Sequence, residues 1–346
     1  MAANSNETLP GGASRALHRL AVLAVCLVWP LIWVGGLVTT YDAGMAVPDW
    51  PGTYGYNLFL YPIGTWLGGP FDLFIEHGHR LLGAVVGLVA IAMVGASLWD
   101  PRRWVRGLCV GLLLAVISQG VLGGLRVVLS DRTLAMTHGC VGPAVFSLFV
   151  VAAVVTSRFW WQPRFEPGGD SMSFRTGWVA LAACLVILSY FQLLLGAQIR
   201  HIQPDSPPNR FAMIVAGHVI TALVLWLLTG VNWMRLRRCG DLTLSRPAGV
   251  LIGLVAVQIV LGVGTWVVSY GWPSFLRWFP GATGFLIRSK GFFDSLVVTA
   301  HVATGSLILA VSTLLLFRTL RLRWQSTRMH ESGVAGSKSR PLSATT

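Results

Sequence analysis

The chain has 346 residues, of which 54% are hydrophobic and 11% are charged, and its mean hydropathy is +0.66. This composition excludes an ordinary soluble domain and indicates a membrane protein. The formal net charge of +13 does not indicate nucleic-acid binding, because the basic residues form short clusters between apolar stretches and not one basic face.

Eight stretches are long and apolar enough to cross a hydrocarbon core, which requires about 20 helical residues. The sequence therefore predicts an all-α integral membrane protein with eight transmembrane helices. The first is predicted to be retained, because no small-residue cleavage site follows it. The predicted spans are residues 20–39, 79–98, 107–129, 135–156, 178–198, 211–233, 248–268 and 295–317.

Lysine and arginine counts predict the orientation, because basic residues collect on the cytoplasmic side. One set of connections, which includes both termini, carries 18 of the 26 basic residues. We therefore predict that both termini are cytoplasmic, with residues 1–19 as a short segment before the first span. Residues 158–177 are predicted to link two halves on that side, and residues 318–346 to form a disordered tail.

The connections on the opposite, outer side are long. Residues 41–75 are rich in glycine, proline and aromatic residues, and residues 271–294 form a second long connection. Connections of this length often cover a site.

Two themes recur along the spans. Odd-numbered spans carry a glutamine four residues before a glycine, at Gln119, Gln192 and Gln258, and the first span has Gly35 and Gly36 at a comparable depth. Each even-numbered span carries a histidine near its outer end. The chain is therefore interpreted as two pseudo-symmetric four-helix bundles, 20–157 and 178–317, related by a two-fold axis along the membrane normal. The four histidines are His79, His138, His218 and His301.

Four histidines at one level, two per bundle, favour a heme site over simple hydrogen bonding between helices. Neutral imidazole ligates heme iron, and bundle cores often hold cofactors. Zinc fits less well, because no third or fourth ligand is evident.

The five cysteines form no Cys-x-x-Cys motif and are interpreted as small core residues. Arginines near the outer helix ends are candidates for propionate contacts, with simple snorkelling as the alternative. They are Arg80, Arg126, Arg200 and Arg210.

The stretch from Phe74 to Gly83 combines Glu76, His77, His79 and Arg80. Ionisable groups at a membrane helix end usually face a bundle interior, a cavity or a ligand. In a helix, Glu76 and His79 share one face and His77 points elsewhere. Taken alone, the cluster also fits a solvated interfacial group. His201 stands beside Arg200 and is equally compatible with a plain surface position, whereas His18 and His330 fall in segments predicted to be cytoplasmic.

In this pattern the chain resembles the heme A synthase family, membrane enzymes that convert heme O to heme A for cytochrome oxidase. The resemblance covers residues 20–317 and rests on an ordered combination of motifs. These are Gly35-Gly36, Glu76-x-x-His79-Arg80, Gln119 with Gly123-Gly124, Thr137-His138-Gly139, Gln192 through Arg200, His218, Gln258 through Gly262 and His301.

The resemblance implies a division of labour. The N-terminal bundle would hold the substrate heme O between His79 and His138, and the C-terminal bundle a permanent heme b ligated by His218 and His301. The family's reaction oxidises a ring methyl to a formyl group through successive hydroxylations and loss of water. Glu76 matches the family's acidic residue beside the substrate, where it would transfer protons or stabilise positive charge.

Some positions depart from the family's pattern. Thr39 stands where many relatives have an arginine, and residues 41–45 read Tyr-Asp-Ala-Gly-Met in place of Thr-Glu-Ser-Gly-Leu. The first outer connection also has no cysteine pair, which excludes a regulatory disulfide there. None of these departures removes a proposed ligand.

Three other interpretations remain open on the sequence. A diheme cytochrome that only relays electrons would use the same histidines, but it would not need Glu76. A heme or ion transporter would place them along a pathway between the two repeats. A helical scaffold would use them only for hydrogen bonds.

For the synthase, the expected partners are heme O, membrane lipid, a heme O-forming enzyme and an electron-transfer protein, with no nucleic acid. Direct docking and a homo-oligomer stay open. The expected location is a bacterial plasma membrane.

Overall fold

A computed structural model describes residues 15–162, 176–203, 205–274, 278, 285, 287 and 291–338, with backbone only for Thr176 and 329–338. This part of the chain is helical and contains no strand. Eight helices are long and apolar enough to span a membrane, which confirms the predicted fold class. They are α1 (Arg15–Thr40), α3 (Phe71–Ser97), α4 (Arg103–Val128), α5 (Arg132–Thr156), α7 (Thr176–Arg200), α8 (Pro208–Arg237), α9 (Leu242–Tyr270) and α10 (Phe292–Lys338); α2 (Ile63–Leu67) and α6 (Arg158–Trp161) are short.

The histidine-bearing helices begin earlier than the hydropathy pattern predicts. Helix α3 begins at Phe71, directly after Pro70, so His79 lies two turns inside the helix and not in its first turn. The hydropathy pattern missed these turns because they carry Asp72, Glu76 and His77. Within α3, Glu76 and His77 find buried polar partners, so the polar stretch remains helical.

The tail prediction is wrong for residues 318–338, because α10 continues as a helix through Lys338. Its basic side chains bind the ends of neighbouring segments. Arg318 donates to the carbonyl of Thr243 at 2.6 Å, and Arg321 donates to the carbonyl of Trp160 at 2.7 Å. Arg321 and Arg328 also stack over the ring of Trp324. Residues 339–346 lie outside the described residues, as do 1–14 and most of the 158–177 linker.

The eight spans pack in two sets of four. Helix α1 contacts α3 and α5, and α4 contacts the same two helices; α7 contacts α8 and α10, and α9 contacts the same two. Between the sets, α1 contacts α10, α5 contacts α10, and α5 contacts α7. These neighbours define two groups of four helices, while the pseudo-symmetry and the two-fold axis stay predictions.

Large apolar side chains fill one half of each bundle. In the first set, Met93, Leu112, Phe146 and Phe149 are fully buried, and all belong to the half in which α1 begins. In the second set the corresponding core includes Leu185, Leu244, Leu251 and Leu315. The histidines and their neighbouring glycines lie in the other half, which we call the outer half. Close packing of the inner half holds the helices rigidly and leaves the outer half for polar groups.

Candidate functional site

In the N-terminal bundle the structure brings His79 of α3 and His138 of α5 together. Their ring centroids are 6.3 Å apart and the rings are nearly perpendicular, at 85°. Both Nδ1 atoms are buried and make no hydrogen bond to any described residue. The two imidazoles therefore lie next to one another in the bundle interior, and their function as heme ligands stays a prediction.

Each of these rings lies against a glycine on a neighbouring helix. A Cβ atom on Gly35 would fall 2.7 Å from Cε1 of His79, and one on Gly123 would fall 3.1 Å from Cε1 of His138. Real Cβ atoms do not approach ring carbons as closely as the first distance. The small residues thus create the space in which the imidazoles lie, which gives the recurring glycines a direct function in the site.

The C-terminal bundle repeats this arrangement. The ring centroids of His218 and His301 are 6.2 Å apart with an interplanar angle of 62°. A Cβ on Gly196 would fall 3.3 Å from Cε1 of His218, and one on Gly262 would fall 3.1 Å from Cε1 of His301. The Nδ1 atoms of this pair are also buried without a hydrogen bond to a described residue.

A backbone carbonyl lies near each imidazole, outside hydrogen-bonding geometry with Nδ1, and belongs to the residue one helical turn before the matching glycine. Metal-bound histidines commonly direct their second ring nitrogen at such a carbonyl, which orients the ring. The glutamine side chain is used differently, since Gln192 donates from Nε2 to the carbonyl of His218 at 2.9 Å. The four nearby carbonyls belong to Leu31, Gln119, Gln192 and Gln258.

The spacing of both pairs fits a heme iron between two imidazoles. A metal–nitrogen bond of about 2.0 Å and a nitrogen-to-centroid distance of about 1.1 Å place the centroids of two opposite imidazoles about 6 Å apart. Among the described residues, no group of three or more His, Cys, Asp or Glu side chains converges as a metal-ion site would require. The residues therefore fit an iron that brings its own macrocycle, because two protein ligands suffice for it.

Beside the N-terminal pair, Glu76 is buried with 1% of its surface exposed. Its Oε1 accepts from Nη2 of Arg80 at 2.8 Å, and its Oε2 accepts from the backbone N–H of Val47 at 2.8 Å. Both oxygens are thus directed toward the outer connection and Arg80. A buried carboxylate requires such partners, since an unpaired charge at this depth is costly.

Arg80 fastens the first outer connection to α3. Its Nη1 donates to the carbonyls of Asp49 and Gly52 at 2.6 and 2.8 Å, and its Nη2 also donates to the carbonyl of Val47 at 2.7 Å. Both terminal nitrogens are therefore committed within the protein. The candidate propionate contact at Arg80 stays a prediction, and in the structure the converging loop carbonyls take up donors of its two terminal nitrogens.

His77 provides a second attachment for the same connection, and sequence reasoning gave it no role. It is 1% exposed, and its Nδ1 is 2.9 Å from Oγ1 of Thr53. The rings of Tyr61 and Trp66 pack on it with centroids 5.0 and 5.2 Å away. As predicted, it points away from the His79 pocket.

The connection covers the outer end of the N-terminal pocket. The indole of Trp50 occupies the position where a side chain on Gly124 would lie, directly after the glycine that contacts His138. Within the loop, Asp49 accepts from the backbone N–H groups of Tyr54 and Gly55 at 2.8 and 2.9 Å. Burial tends to raise the pKa of Asp49, but these donors and Arg80 outweigh it and hold the pKa below its ordinary value. The loop is therefore an ordered cover with its own charge.

Arg126 of α4 lies under this cover. A Cβ on Gly44 would be 2.5 Å from its Nη1, so the guanidinium lies directly against the loop backbone. Electrostatic interactions link Arg126 to Glu76 and to both histidines of the pair. Among the described residues, no hydrogen bond or ion pair involves its guanidinium. Its donors remain available to an anionic ligand.

The other two candidate arginines are placed differently. Arg200 donates from Nη2 to Oγ1 of Thr40 at 2.6 Å and to the carbonyl of Gly36 at 3.1 Å, so it joins α7 to α1. Arg210 is exposed in the first turn of α8. Arg200 is therefore committed at least in part to the contact between bundles.

His201 is part-buried just after α7, not a plain surface residue. Burial, with the positive charges of Arg200, Arg132 and Arg126, lowers its pKa from 6.5 to about 4. His201 is therefore neutral at physiological pH.

A family model described as cytochrome oxidase assembly protein, COX15-CtaA, matches residues 69–214 of the chain. This range contains Glu76, His79 and His138, and it ends four residues before His218. A heme A synthase of Mesorhizobium japonicum is 27% identical over 316 residues, which cover 73% of this chain and 83% of that protein. The chain is thus similar to heme A synthases over most of its length.

Two further relatives differ in how much of each protein is matched. A heme A synthase of Shouchella clausii is 28% identical over 195 residues, which cover 54% of this chain and 60% of that protein. A protoheme IX farnesyltransferase of Haloarcula marismortui is 28% identical over 164 residues, 45% of this chain and 31% of that protein. The match of 316 residues shows that the similarity to the family extends well beyond residues 69–214.

Proposed function

We propose that the chain is a heme A synthase that oxidises one ring methyl of heme O to a formyl group. Two successive hydroxylations convert the methyl to a geminal diol, which loses water to give the aldehyde. Each hydroxylation inserts one oxygen atom that is supplied from outside the chain, and the electrons that the methyl carbon loses pass to an external acceptor. The observation that carries the proposal is the pair of facing histidines in each bundle, at 6.3 and 6.2 Å, since these fit two hemes in one chain.

The N-terminal bundle is assigned to the substrate. The pair His79 and His138 would hold heme O, and the pair His218 and His301 would hold heme b. The assignment is supported by the buried carboxylate of Glu76, which among the described residues lies only beside the first pair, where it is joined by Arg126. A resident heme b would supply one-electron redox chemistry.

The protein's own groups would position the substrate and handle protons. Arg126 would pair with a propionate, and Arg210, two turns before His218, would do so in the second pocket. Arg80 and Arg200 would act by positioning, since their donors bind backbone and hydroxyl groups. Glu76 would accept or stabilise a proton released at the oxidised methyl, with Arg80 holding its carboxylate under the loop. The cover of residues 41–62 would limit water at the reacting carbon.

The setting follows from the same proposal. The chain would lie in a bacterial plasma membrane with both termini in the cytoplasm, because most basic residues lie on that side. A heme-farnesylating enzyme must supply heme O. The similarity to part of a protein named protoheme IX farnesyltransferase supports such an enzyme as a partner.

The test is mass analysis of heme extracted from the purified protein after co-expression with a heme O source. Heme A or a hydroxylated intermediate beside heme b would support the proposal. Heme b alone would favour a diheme electron-transfer cytochrome. Wild type and variants should be compared in one membrane preparation, so that heme supply is matched.

Three variants separate the assigned roles. We expect His301→Ala to lose the resident heme and His79→Ala to retain it while heme A disappears. Glu76→Gln should keep the heme spectrum and stop heme A formation. Equal heme loss in both histidine variants would contradict the division, and normal heme A in Glu76→Gln would contradict the role of the carboxylate.

A further inference from the structure

Two hydrogen bonds cross between the bundles at corresponding positions. Nε1 of Trp29 in α1 donates to the carbonyl of Ala303 in α10 at 3.2 Å. The hydroxyl of Tyr190 in α7 donates to the carbonyl of Cys140 in α5 at 3.4 Å. In each case an aromatic donor of one bundle reaches the backbone of the other bundle.

The positions of these bonds match residue for residue. Trp29 lies six residues before Gly35, the glycine against His79, and Tyr190 lies six residues before Gly196, the glycine against His218. On the acceptor side, Ala303 follows His301 by two residues and Cys140 follows His138 by two residues. The donor helix therefore contacts the first histidine of its own bundle and the turn that carries the second histidine of the opposite bundle.

We propose that Trp29 and Tyr190 are positioning residues that fix His301 and His138, respectively, from the opposite bundle. A carbonyl inside a helix already accepts from the N–H four residues later, and a second donor tilts it outward and sets the local bend of the helix. Each acceptor carbonyl belongs to the residue two positions after the histidine, so it lies on the side of the helix opposite the imidazole. The bond thus orients the imidazole without occupying the pocket.

This inference rests on the proposed function only in treating the histidines as heme ligands. It predicts a crossed effect. Substitution of Trp29 in the N-terminal bundle should alter the binding of the heme in the C-terminal bundle, and substitution of Tyr190 in the C-terminal bundle should alter the binding of the heme in the N-terminal bundle. A general loss of stability would affect both pockets. An effect confined to the pocket of the opposite bundle therefore distinguishes a positioning function from general destabilisation.

The experiment compares Trp29→Phe and Tyr190→Phe in the full chain, purified with resident heme and then saturated with added hemin. Electron paramagnetic resonance and the rate of heme transfer to excess apomyoglobin are measured, with His79→Ala and His301→Ala used to assign each signal. Trp29→Phe should change the signal of the His218/His301 heme and speed its transfer about fivefold, the value of one lost hydrogen bond. Tyr190→Phe should do the same for the His79/His138 heme.

Trp33→Phe is the matched control for Trp29, because Trp33 packs edge-on against it with centroids 6.0 Å apart while the bond to Ala303 stays intact. Tyr270→Phe removes a hydroxyl from α9 as the control for Tyr190. Tyr190→Phe removes one oxygen atom only, so this arm remains readable if Trp29→Phe does not fold. Unchanged signals, or equal changes in both pockets, would overturn the inference. Crossed changes without heme A production would uphold it and reject the proposed function.

Discussion

Gly35 of α1 lies in contact with the ring of His79, so closely that an added Cβ would fall 2.7 Å from Cε1. Gly35→Ala must therefore displace the imidazole or the helix, at a cost of about 1–3 kcal/mol for overpacking. We expect a loss of heme from the N-terminal pocket in Gly35→Ala and a smaller loss in Gly123→Ala, where the contact is 3.1 Å. The measurement is heme per chain after saturation with hemin. Gly83→Ala is the control, because nothing lies within 4 Å of its added Cβ.

Arg80 and Glu76 form an ion pair whose side chains are 10% and 1% exposed. Arg80→Met removes four donor contacts and leaves the carboxylate with Val47 alone. Breaking a buried pair in this way costs about 3–5 kcal/mol. We expect a lower thermal midpoint in detergent and new protease cleavage within residues 41–62. Arg103→Met, a change at an exposed residue of α4, should leave both unchanged; resistance of the loop in Arg80→Met would refute the fastening role.

Arg126 tests the assignment of the propionate contact. A charge-assisted hydrogen bond contributes about 1.5–3 kcal/mol, so Arg126→Gln should weaken heme binding in the N-terminal pocket roughly ten- to a hundredfold. Binding is measured by titration with hemin in a His301→Ala background, in which only the N-terminal pocket reports. Hemin esterified at both propionates should bind wild type and Arg126→Gln equally. A persisting difference with the ester would mean that Arg126 acts through another contact.

The lowered pKa of His201 predicts that the stability of the folded chain depends on pH. Its pKa is about 4 in the folded chain and near 6.5 when unfolded, so the unfolded chain binds a proton first as the pH falls. Stability is therefore lost from about pH 6.5 down to pH 4, with a slope of up to about 1.4 kcal/mol per pH unit. In His201→Gln this component should be absent, so its thermal midpoint should fall less than that of wild type across the window. Parallel curves would show that His201 titrates normally.

The spans and the four histidines were predictable from sequence because each rests on a local pattern. Apolar runs of sufficient length define membrane helices, and the glutamine–glycine and histidine themes repeat at matching depths. The attachment of Arg80 to residues 47, 49 and 52 was not predictable, since a loop without periodicity gives no signal for where its carbonyls converge. The helix through Lys338 was missed because its contacts, such as Arg321 with Trp160, are long-range.

Trp29 and Tyr190 could have been found in sequence from their common distance of six residues to a glycine, but their partners could not. The acceptors are backbone carbonyls, which every residue carries, so only the packing of α1 on α10 and of α5 on α7 identifies them. Similarly, the sequence placed Arg80 and Arg126 at a comparable depth and treated them alike. The structure distinguishes them by hydrogen bonding.

The reciprocal bonds of Trp29 and Tyr190 have a consequence for how such a chain is put together. An interface in which residue i of one half meets residue j of the other, and the reverse, is isologous. A single four-helix unit that carried both the donor and the acceptor position would satisfy this contact by binding a copy of itself. Co-expressed as separate polypeptides, the two halves therefore hold the complementary surfaces needed to reassemble without the covalent linker.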